Sequence, residues 1–477
     1  MLLGRPFWVA FTAFFLLGAA WALALPVNGT YDESAHIARA YAVYSGQWRT
    51  GEAELRVPAS LLPSNPDCTW APRPATTPAS CQQWNGGKEL VAAPSGASRY
   101  PPLYYGLVGA PIRLMPDSTG VVASRLLSAA AGALLLAAAV AVATALGPAM
   151  LVAATALVVT PTVANLMGAV NPNGMEIAAA ILLFVALLGL FGVGAEPSAT
   201  FGTRKTLLVL TGIAAFLLLT LRHLGPLLLG VDLIAVALVV GRHRAAAQTR
   251  DRSTRLLVGG PVAAGALLAG VWLLVGGSPA EDVPQGRPLQ LSAAQVVDGL
   301  ATSRVPFYVE QVVGRFSYGE TRISPWAILL WYSLVIAAVV VALRRGARRT
   351  TLVVAGLVVV SLAILIALEL VFLPRGRWYA HGRYVLPVLV GAVLVAGWAA
   401  PRVKGYVPTA LVVATAPVHL YALTRVMARF QSGGSAGVTS VGDGPWRSPS
   451  GTIAPLACAL VAVALLVATI LNRRTSP

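Results

Sequence analysis

The chain has 477 residues, of which 57% are hydrophobic and 11% are charged, and its mean hydropathy is +0.73. Soluble domains carry about 25% charged residues, so this composition excludes a soluble enzyme and indicates a polytopic membrane protein. The formal net charge of +17 is not taken as a sign of nucleic-acid binding, and we expect no nucleic-acid partner. In membrane proteins the placement of basic residues along the loops matters more than their sum.

Apolar runs long enough to cross a bilayer recur along the chain. The first run ends in Ala22-Leu23-Ala24 and resembles a signal peptide, but its length favours a retained helix. Together the runs predict twelve spans near 7–25, 121–145, 149–169, 175–193, 206–221, 225–241, 256–276, 325–343, 351–373, 384–400, 406–427 and 453–471.

The charges between the spans predict the topology. If the N-terminus is cytoplasmic, the inner connections are rich in Lys and Arg and hold only Glu196 and Asp251 as acids, as the positive-inside rule requires. Two long loops, 26–120 and 277–324, then lie outside. We therefore predict one all-α membrane domain over 1–477, with an outward-facing cleft formed by these loops.

The first outer loop opens with two adjacent carboxylates, Asp32 and Glu33, followed by His36. An acidic side chain at the bilayer edge is energetically costly, so its presence there suggests a partner or a function. The Ala-rich pattern from Ser34 predicts a helix that places His36 behind the pair. A carboxylate there could act as a general base, or the pair could hold a divalent cation through oxygen ligands. A solvated helix start is the alternative to both.

Two of the three cysteines, Cys68 and Cys81, share the first outer loop, and Cys458 lies in an apolar run. Because the outer compartment is oxidising, we predict a Cys68–Cys81 disulfide and a buried Cys458 thiol. The Pro/Ser/Thr-rich chain over 58–97 is expected to be irregular before the loop returns through a second apolar stretch to Leu114.

The connection after the third span reads Asn171-Pro172-Asn173-Gly174-Met175-Glu176. We expect Asn173 to cap the fourth span, whose free backbone N–H groups would then favour an anion such as phosphate. Glu176 lies in the first turn, where the helix dipole favours a carboxylate. A tight polar turn is the alternative interpretation.

Basic residues gather on the predicted outer side, against the positive-inside trend. A guanidinium matches the geometry of phosphate, so the cluster predicts a lipid-phosphate site, with head-group anchoring as the alternative. The cluster comprises Arg375, Arg377, His381 and Arg383, followed by Tyr384. Arg222 and His223 form a smaller outer pair, for which anchoring is favoured.

Three ionisable residues fall within predicted spans, namely Arg125, Asp232 and Glu369. Such residues are costly in a bilayer unless they are paired. We predict internal salt bridges for them rather than a proton relay.

Three motifs together resemble a large bacterial family of uncharacterised polytopic membrane proteins, itself similar to the GT-C superfamily of membrane glycosyltransferases. The motifs are Asp32-Glu33-x-Ala35-His36, Asn171-Pro172-Asn173-Gly174, and Gly382-Arg383-Tyr384-Val385-Leu386-Pro387. The resemblance covers about residues 7–400. The chain departs from the GT-C pattern in having no long C-terminal soluble domain.

The resemblance implies a scaffold of about twelve helices with juxtamembrane helices in the first outer loop. It implies a polyprenyl-phosphate sugar donor, an envelope glycan or lipid acceptor, and a site on the extracytoplasmic side of the bacterial plasma membrane, among membrane lipids. Asp32 would be the base, with Glu33 as runner-up and His36 beside them. Donor contacts would come from Asn171, Asn173, Glu176, Arg222, His223, Arg375, Arg377, His381, Arg383 and Tyr384. The composition resembles that of high-GC actinobacteria.

Two classes of function follow. The first is an inverting glycosyltransferase, in which we expect Asp32 and Arg383 on opposite walls of an outer cavity. The second is a transporter or flippase of an envelope lipid, which predicts polar groups in mid-membrane and repeated halves. Few charges lie in the spans, which favours the enzyme. A non-catalytic scaffold of an envelope-synthesis complex is a further alternative.

Overall fold

The computed structural model describes residues 4–47, 54–65, 68–69, 77–191, 201–277, 286–344, 347–400, 403, 406–434 and 436–471. Glu196, counted above with the inner acids, lies outside the described residues, as do parts of both long outer loops.

The described residues contain nine helices that are long and apolar enough to cross a membrane, and up to eleven if two bent pairs each form one span. A shorter apolar helix, Ile453–Thr469, coincides with the last predicted run. The prediction of an all-α, multi-pass membrane protein is confirmed. The helices are α1 Arg5–Ala24, α2 Glu33–Tyr44, α3 Pro102–Leu114, α4 Ser118–Leu146, α5 Ala149–Leu157, α6 Pro161–Met167, α7 Pro172–Leu190, α8 Phe201–Leu221, α9 Gly225–Val240, α10 Arg242–Arg250, α11 Arg252–Gly276, α12 Ala293–Gly299, α13 Val305–Val313, α14 Pro325–Leu343, α15 Arg348–Phe372, α16 Leu386–Ala399, α17 Tyr406–Ser432 and α18 Ile453–Leu471.

The run at 149–169, predicted as one span, is broken. Helices α5 and α6 meet at an angle of 68°. Pro161 causes the break, because proline has no N–H to donate and its ring excludes the carbonyl four residues earlier. Thr160 caps the new helix by accepting a hydrogen bond from the Val163 N–H at 3.3 Å. A second bend, of 114°, separates α9 from the arginine-rich α10.

The helices divide into a buried set and a peripheral set. In the most apolar stretch of α7, 89% of residues are buried, against 11% in α11. Small residues bring the central helices together. At Gly18 of α1, an added Cβ would lie 2.9 Å from the Cβ of Ala129 on α4. The outward apolar side chains of α11, α14 and α15 fit a lipid environment.

The first outer loop is more regular than predicted. Strands β1 (Glu54–Pro58) and β2 (Leu90–Pro94) pair antiparallel with Glu54 opposite Pro94, so the region 58–97 is not wholly irregular. Leu55 and Val57 alternate along β1 and are both buried, which suits a strand with one face packed. A disulfide joins Cys68 to Cys81 between the strands. Helices α2 and α3 pack through a separate apolar cluster.

The second outer loop is also structured. Helix α12 continues through a π turn, Leu300–Arg304, into α13. A short hairpin then pairs β3 (Arg315–Phe316) with β4 (Thr321–Arg322). Tyr318, in the turn of this hairpin, contacts the start of the first outer loop at Asn28 and Tyr31.

Candidate functional site

A polar cavity of about 270 Å³ lies where the first outer loop meets the segment that precedes α16. Five residues predicted for the site line it, namely Asp32, His36, Arg377, His381 and Tyr384. The remaining lining is contributed by Ala35, Gly96, Ala97, Tyr100, Trp378 and Tyr379. The start of α2 and the segment before α16, distant in sequence, thus share one chamber.

Asp32 stands at the N-cap position of α2, but its side chain makes no capping hydrogen bond. Its backbone is left-handed, with φ of 57°, a conformation that Asp and Asn tolerate better than most residues. The carboxylate is 44% exposed and accepts a hydrogen bond from Arg383 Nη2. We expected these two residues on opposite walls. They are in contact because the guanidinium extends along the ring of Tyr31, 4.4 Å from its centre.

Arg383 is the buried cation of the site. Its side chain is 1% exposed, and within the described residues its Nε and Nη1 have no hydrogen-bond partner. Tyr384 lies beside it, with the guanidinium 5.2 Å from the ring centre. Buried donors without partners are costly, and a guanidinium with unused donors is well suited to a phosphate. The geometry gives Arg383 spare capacity for an anion.

Glu33, the neighbour of Asp32, points away from the cavity. Arg125 binds both its oxygens, from Nε at 2.7 Å and Nη2 at 2.6 Å. The Val170 N–H donates to the same carboxylate at 3.2 Å. The carboxylate is fully buried and the guanidinium is 1% exposed. Asp32 and Glu33 therefore do not share a cation, and the prediction of an internal salt bridge is confirmed for Arg125.

Arg125 also ties together the chain around the site. Its Nη1 donates to the carbonyls of Ala22 and Leu25, at 3.1 and 2.8 Å. Its Nη2 donates to the Pro26 carbonyl at 2.7 Å. Ala22 and Leu25 stand at the end of α1, where a helix leaves carbonyls without helical partners. The Pro26 carbonyl beyond them also accepts from the Gly29 N–H at 3.0 Å. One guanidinium thus fixes the exit of α1 relative to α2 and α4.

Both histidines of the cavity are held neutral. Burial, with the charges of Arg222 and Arg383, lowers the pKa of His36 to about 3. Its Nδ1 shares a hydrogen bond of 2.7 Å with the Tyr105 hydroxyl. Burial, followed by the nearby arginine charges, also lowers the pKa of His381 well below its usual value. Gln311 of α13 contacts its Nδ1 at 2.9 Å.

The cap of α7 differs from the prediction. Asn171, not Asn173, is the N-cap, and its Oδ1 accepts from the Asn173 N–H at 3.0 Å. The helix therefore begins at Pro172, earlier than predicted, because proline suits the first helical position. The Asn171 amide also donates to the Tyr31 carbonyl at 3.0 Å. Both asparagines are buried and lie outside the cavity lining, so they support the start of the first outer loop.

Glu176 and Arg222 form a buried pair behind the cavity wall, with Nη1 and Oε2 2.9 Å apart. The Arg222 guanidinium lies 4.9 Å from the Tyr384 ring centre, so it contributes charge through the wall. His223 contacts the ring of Tyr100 edge-on, and burial, with the charge of Arg222, lowers its pKa to about 4. None of these three residues lines the cavity.

Arg375 lies apart from the chamber, with its guanidinium over the ring of Phe372. The segment after it is fixed by Glu369, whose carboxylate accepts from Arg304 at 2.7 Å and from the Tyr379 N–H at 2.6 Å. The internal salt bridge predicted for Glu369 is thereby confirmed. Asp232 differs, because within the described residues neither of its buried oxygens has a hydrogen-bond partner.

The aromatic wall residues Tyr100, Trp378 and Tyr379 and the orienting residue Gln311 were not among the residues predicted for the site. The three aromatic residues lie close in sequence to arginine and histidine residues. That proximity was the pattern from which they could have been predicted as part of the site. Gln311 stood in a helix without any distinguishing pattern. Within the described residues, no group of three or more His, Cys, Asp or Glu side chains is placed to hold a metal ion.

An apolar groove of about 480 Å³ lies among α13, α14, α15, α16 and the α5–α6 break. Its polar side chains are already hydrogen-bonded. The Thr160 hydroxyl donates to the Val312 carbonyl at 2.7 Å, and Tyr332 donates to the Val309 carbonyl at 2.8 Å. Tyr308 and Val385 line the groove and share an apolar cluster with the cavity residue Tyr384. The groove therefore ends against the cavity wall.

Solved structures with a similar course of the chain include ArnT from Cupriavidus metallidurans bound to undecaprenyl phosphate. The TM-score is 0.47 at 16% identity, over 98% of this chain and 79% of that chain. Its apo form gives a TM-score of 0.43 at 16% identity, over 95% and 75%. No curated protein matches the sequence.

The family comparison is more extensive. A family model described as "Predicted membrane protein (DUF2142)" matches residues 15–392. That stretch contains the three motifs, the polar cavity and the apolar groove. The chain therefore belongs to the DUF2142 family of predicted membrane proteins.

Proposed function

We propose that the chain is an inverting glycosyltransferase that takes a sugar from a polyprenyl-phosphate donor on the extracytoplasmic face of the plasma membrane. The observation that carries this proposal is the Asp32–Arg383 pair. A half-exposed carboxylate lies in a polar chamber beside a buried guanidinium with two donor nitrogens that have no partner among the described residues. One group can accept a proton while the other holds a phosphate.

The proposed reaction needs only these parts. The acceptor hydroxyl attacks the anomeric carbon, and its proton passes to the Asp32 carboxylate. The bond between the anomeric carbon and the phosphate oxygen breaks on the opposite side of the sugar, so the configuration inverts. The sugar must therefore lie between Asp32 and Arg383, and their direct contact must open when the donor binds. The electron pair leaves with the polyprenyl phosphate, where Arg383 stabilises the developing charge. Arg377, at the exposed edge of the cavity, would assist entry of the phosphate.

The surroundings supply the remaining requirements. Tyr100, Trp378, Tyr379 and Tyr384 line the cavity and provide flat apolar faces for a sugar ring. The adjacent groove is apolar, and its hydroxyls are engaged, as an isoprenoid chain requires. The groove ends at the wall that contains Tyr384, so a lipid lying there would have its phosphate near Arg383.

The experiment compares Asp32→Asn with Asp117→Asn in the full chain, purified into lipid nanodiscs. Each reaction contains one of a panel of synthetic polyprenyl-phosphate pentoses and hexoses with an envelope extract as acceptor. Asp117 is a matched control because it caps α4 outside the cavity, accepting from the Thr119 N–H at 2.8 Å. Release of polyprenyl phosphate should fall about 10²–10⁴-fold in Asp32→Asn and stay near the wild-type rate in Asp117→Asn. Normal release by Asp32→Asn would refute the assigned base.

Two observations favour the second candidate, a lipid transporter. The α5–α6 span is broken, and buried Asp232 in α9 has no hydrogen-bond partner among the described residues. Broken spans and buried ionisable residues are typical of transport pathways. Movement of a fluorescent polyprenyl-phosphate lipid across proteoliposomes, abolished by Asp232→Asn and unaffected by Asp32→Asn, would favour transport over transfer.

A further inference from the structure

The first turn of α2 is capped from an unexpected position. An Asp at the N-cap ordinarily accepts a hydrogen bond from an N–H two or three residues later. Asp32 makes no such bond. Instead, Asn28 Oδ1 accepts from the Ser34 N–H at 3.2 Å. The cap of α2 therefore comes from a residue four positions before the N-cap.

The second outer loop holds Asn28 in place. The Tyr318 hydroxyl, in the turn between β3 and β4, donates to Asn28 Oδ1 at 2.8 Å. The Asn28 amide in turn donates to Thr69 Oγ1 at 3.2 Å, and its side chain is 1% exposed. One amide thus joins the start of α2, the disulfide-bearing part of the first loop, and the hairpin of the second loop.

The backbone at this junction is unusual. Among the described residues, the non-glycine positions with positive φ are Asn28, Asp32 and Ser317, at 64°, 57° and 56°. Ser317 immediately precedes Tyr318, so all three belong to one contact region. Gly319 completes this region, with φ of 96°. An added Cβ there would lie only 2.6 Å from the Tyr31 hydroxyl oxygen, too close for a side chain to fit. Left-handed backbone persists where the surroundings hold it, most often at functional sites.

We propose that Asn28, held by Tyr318, is a positioning residue that caps α2 in place of Asp32 and so leaves the Asp32 carboxylate free to face the cavity and Arg383. The catalytic consequence rests on the proposed function, but the exchange of caps does not. If Asn28 loses its amide, the Asp32 side chain is the nearest acceptor able to take over the first turn. Asp32 would then turn away from Arg383.

The test uses Asn28→Gly and Asn28→Asp in the full chain. Glycine accepts the left-handed backbone and removes the acceptor, whereas Asp keeps an oxygen for Ser34 and Tyr318. For Asn28→Gly we expect a lower melting temperature, because the hydrogen bonds to Tyr318 and Thr69 are lost. Helix α2 nevertheless stays capped, because Asp32 replaces Asn28 as the cap. The kcat for release of polyprenyl phosphate should fall at least tenfold, with the donor KM changed less than threefold. Asn28→Asp should restore most of the rate, and Tyr318→Phe should lose part of it.

A double-mutant cycle separates this proposal from the assignment of the base. In an Asp32→Gly background no side chain can replace the lost cap, so Asn28→Gly should lower the melting temperature more than it does in wild type. Equal losses in both backgrounds would overturn the exchange of caps. A larger loss in the Asp32→Gly background supports the exchange even if Asp32→Asn retains full turnover, an outcome that would refute only the proposed base.

Discussion

Asp32 and Glu33 are adjacent in the chain, but each carboxylate pairs with a different arginine in a different environment. Glu33 and Arg125 are both buried, and the carboxylate is bound by two guanidinium nitrogens and a backbone N–H. Asp32 and Arg383 share one described hydrogen bond, the carboxylate is half-exposed, and two guanidinium nitrogens have no described partner. The hydrogen-bonding groups of the Glu33–Arg125 pair are satisfied within the fold. The Asp32–Arg383 pair has guanidinium donors that are available for a ligand.

The difference shows that residue type and sequence position do not distinguish the carboxylate bound within the fold from the one that faces the cavity. A one-residue step, combined with a left-handed backbone at Asp32, sends two acidic side chains in different directions. What separates them is the number of satisfied hydrogen bonds and the access to solvent.

Glu33→Gln should be the most damaging single change to stability. It leaves the Arg125 guanidinium buried without its counter-charge, a loss that typically costs about 3–5 kcal/mol. Asp32→Asn also removes the counter-charge of a buried guanidinium, Arg383, but it should cost less, because the Asp32 carboxylate is 44% exposed and accepts one described hydrogen bond. Unfolding free energies from SDS titration in mixed micelles would compare them. Equal losses for the two variants would contradict the distinction between the pairs.

Arg383→Lys should weaken donor binding more than folding. A lysine keeps the charge but lacks the planar fork that can hold a phosphate and Asp32 together. We expect the donor KM to rise about tenfold or more, equivalent to about 1.4 kcal/mol. Arg377→Lys, at the exposed edge of the same cavity, is the matched control and should change KM less than threefold. A larger effect at Arg377 would move the phosphate to the cavity entrance.

His36 should make stability depend on acid pH. Its pKa is lowered to about 3 by burial and nearby arginines, whereas in the unfolded chain it is about 6.5. Below pH 6.5 the unfolded state therefore binds the proton first, and stability falls as the pH falls toward 3. Between pH 7 and 5.5 the loss is about 1 kcal/mol. The His36→Gln variant should lose less over that interval, and an unchanged slope would show that His36 is not buried neutral.

The class of fold was predictable because each bilayer crossing leaves its own apolar run. The runs required no knowledge of how the helices pack. The break at Pro161 was also readable in principle, since proline inside a long apolar run interrupts the helix. The β1–β2 hairpin was not, because its strands are five residues each and lie within a stretch rich in turn-forming residues.

The candidate site was predictable in part. Asp32, Arg383 and His381 could be predicted because ionisable side chains at the bilayer edge are costly and usually have a partner or a function. Their contact depends on tertiary packing between residues about 350 positions apart, which no local pattern encodes. The choice of Asn171 over Asn173 as a cap depended on a single hydrogen bond. The role of Glu33 was hidden because its partner, Arg125, lies in a different helix.

The left-handed backbone at position 32 imposes a second, purely geometric selection on that residue. Saturation mutagenesis there would combine two filters, one for proton acceptance and one for tolerance of φ near 57°. Most substitutions, including Ala and Glu, would be penalised by the backbone alone. Gly and Asn avoid that backbone penalty. The effect of losing the carboxylate on activity can therefore be measured without a backbone effect in the Asp32→Gly and Asp32→Asn variants. An evolutionary profile of this position would likewise overstate how strictly the chemistry demands Asp.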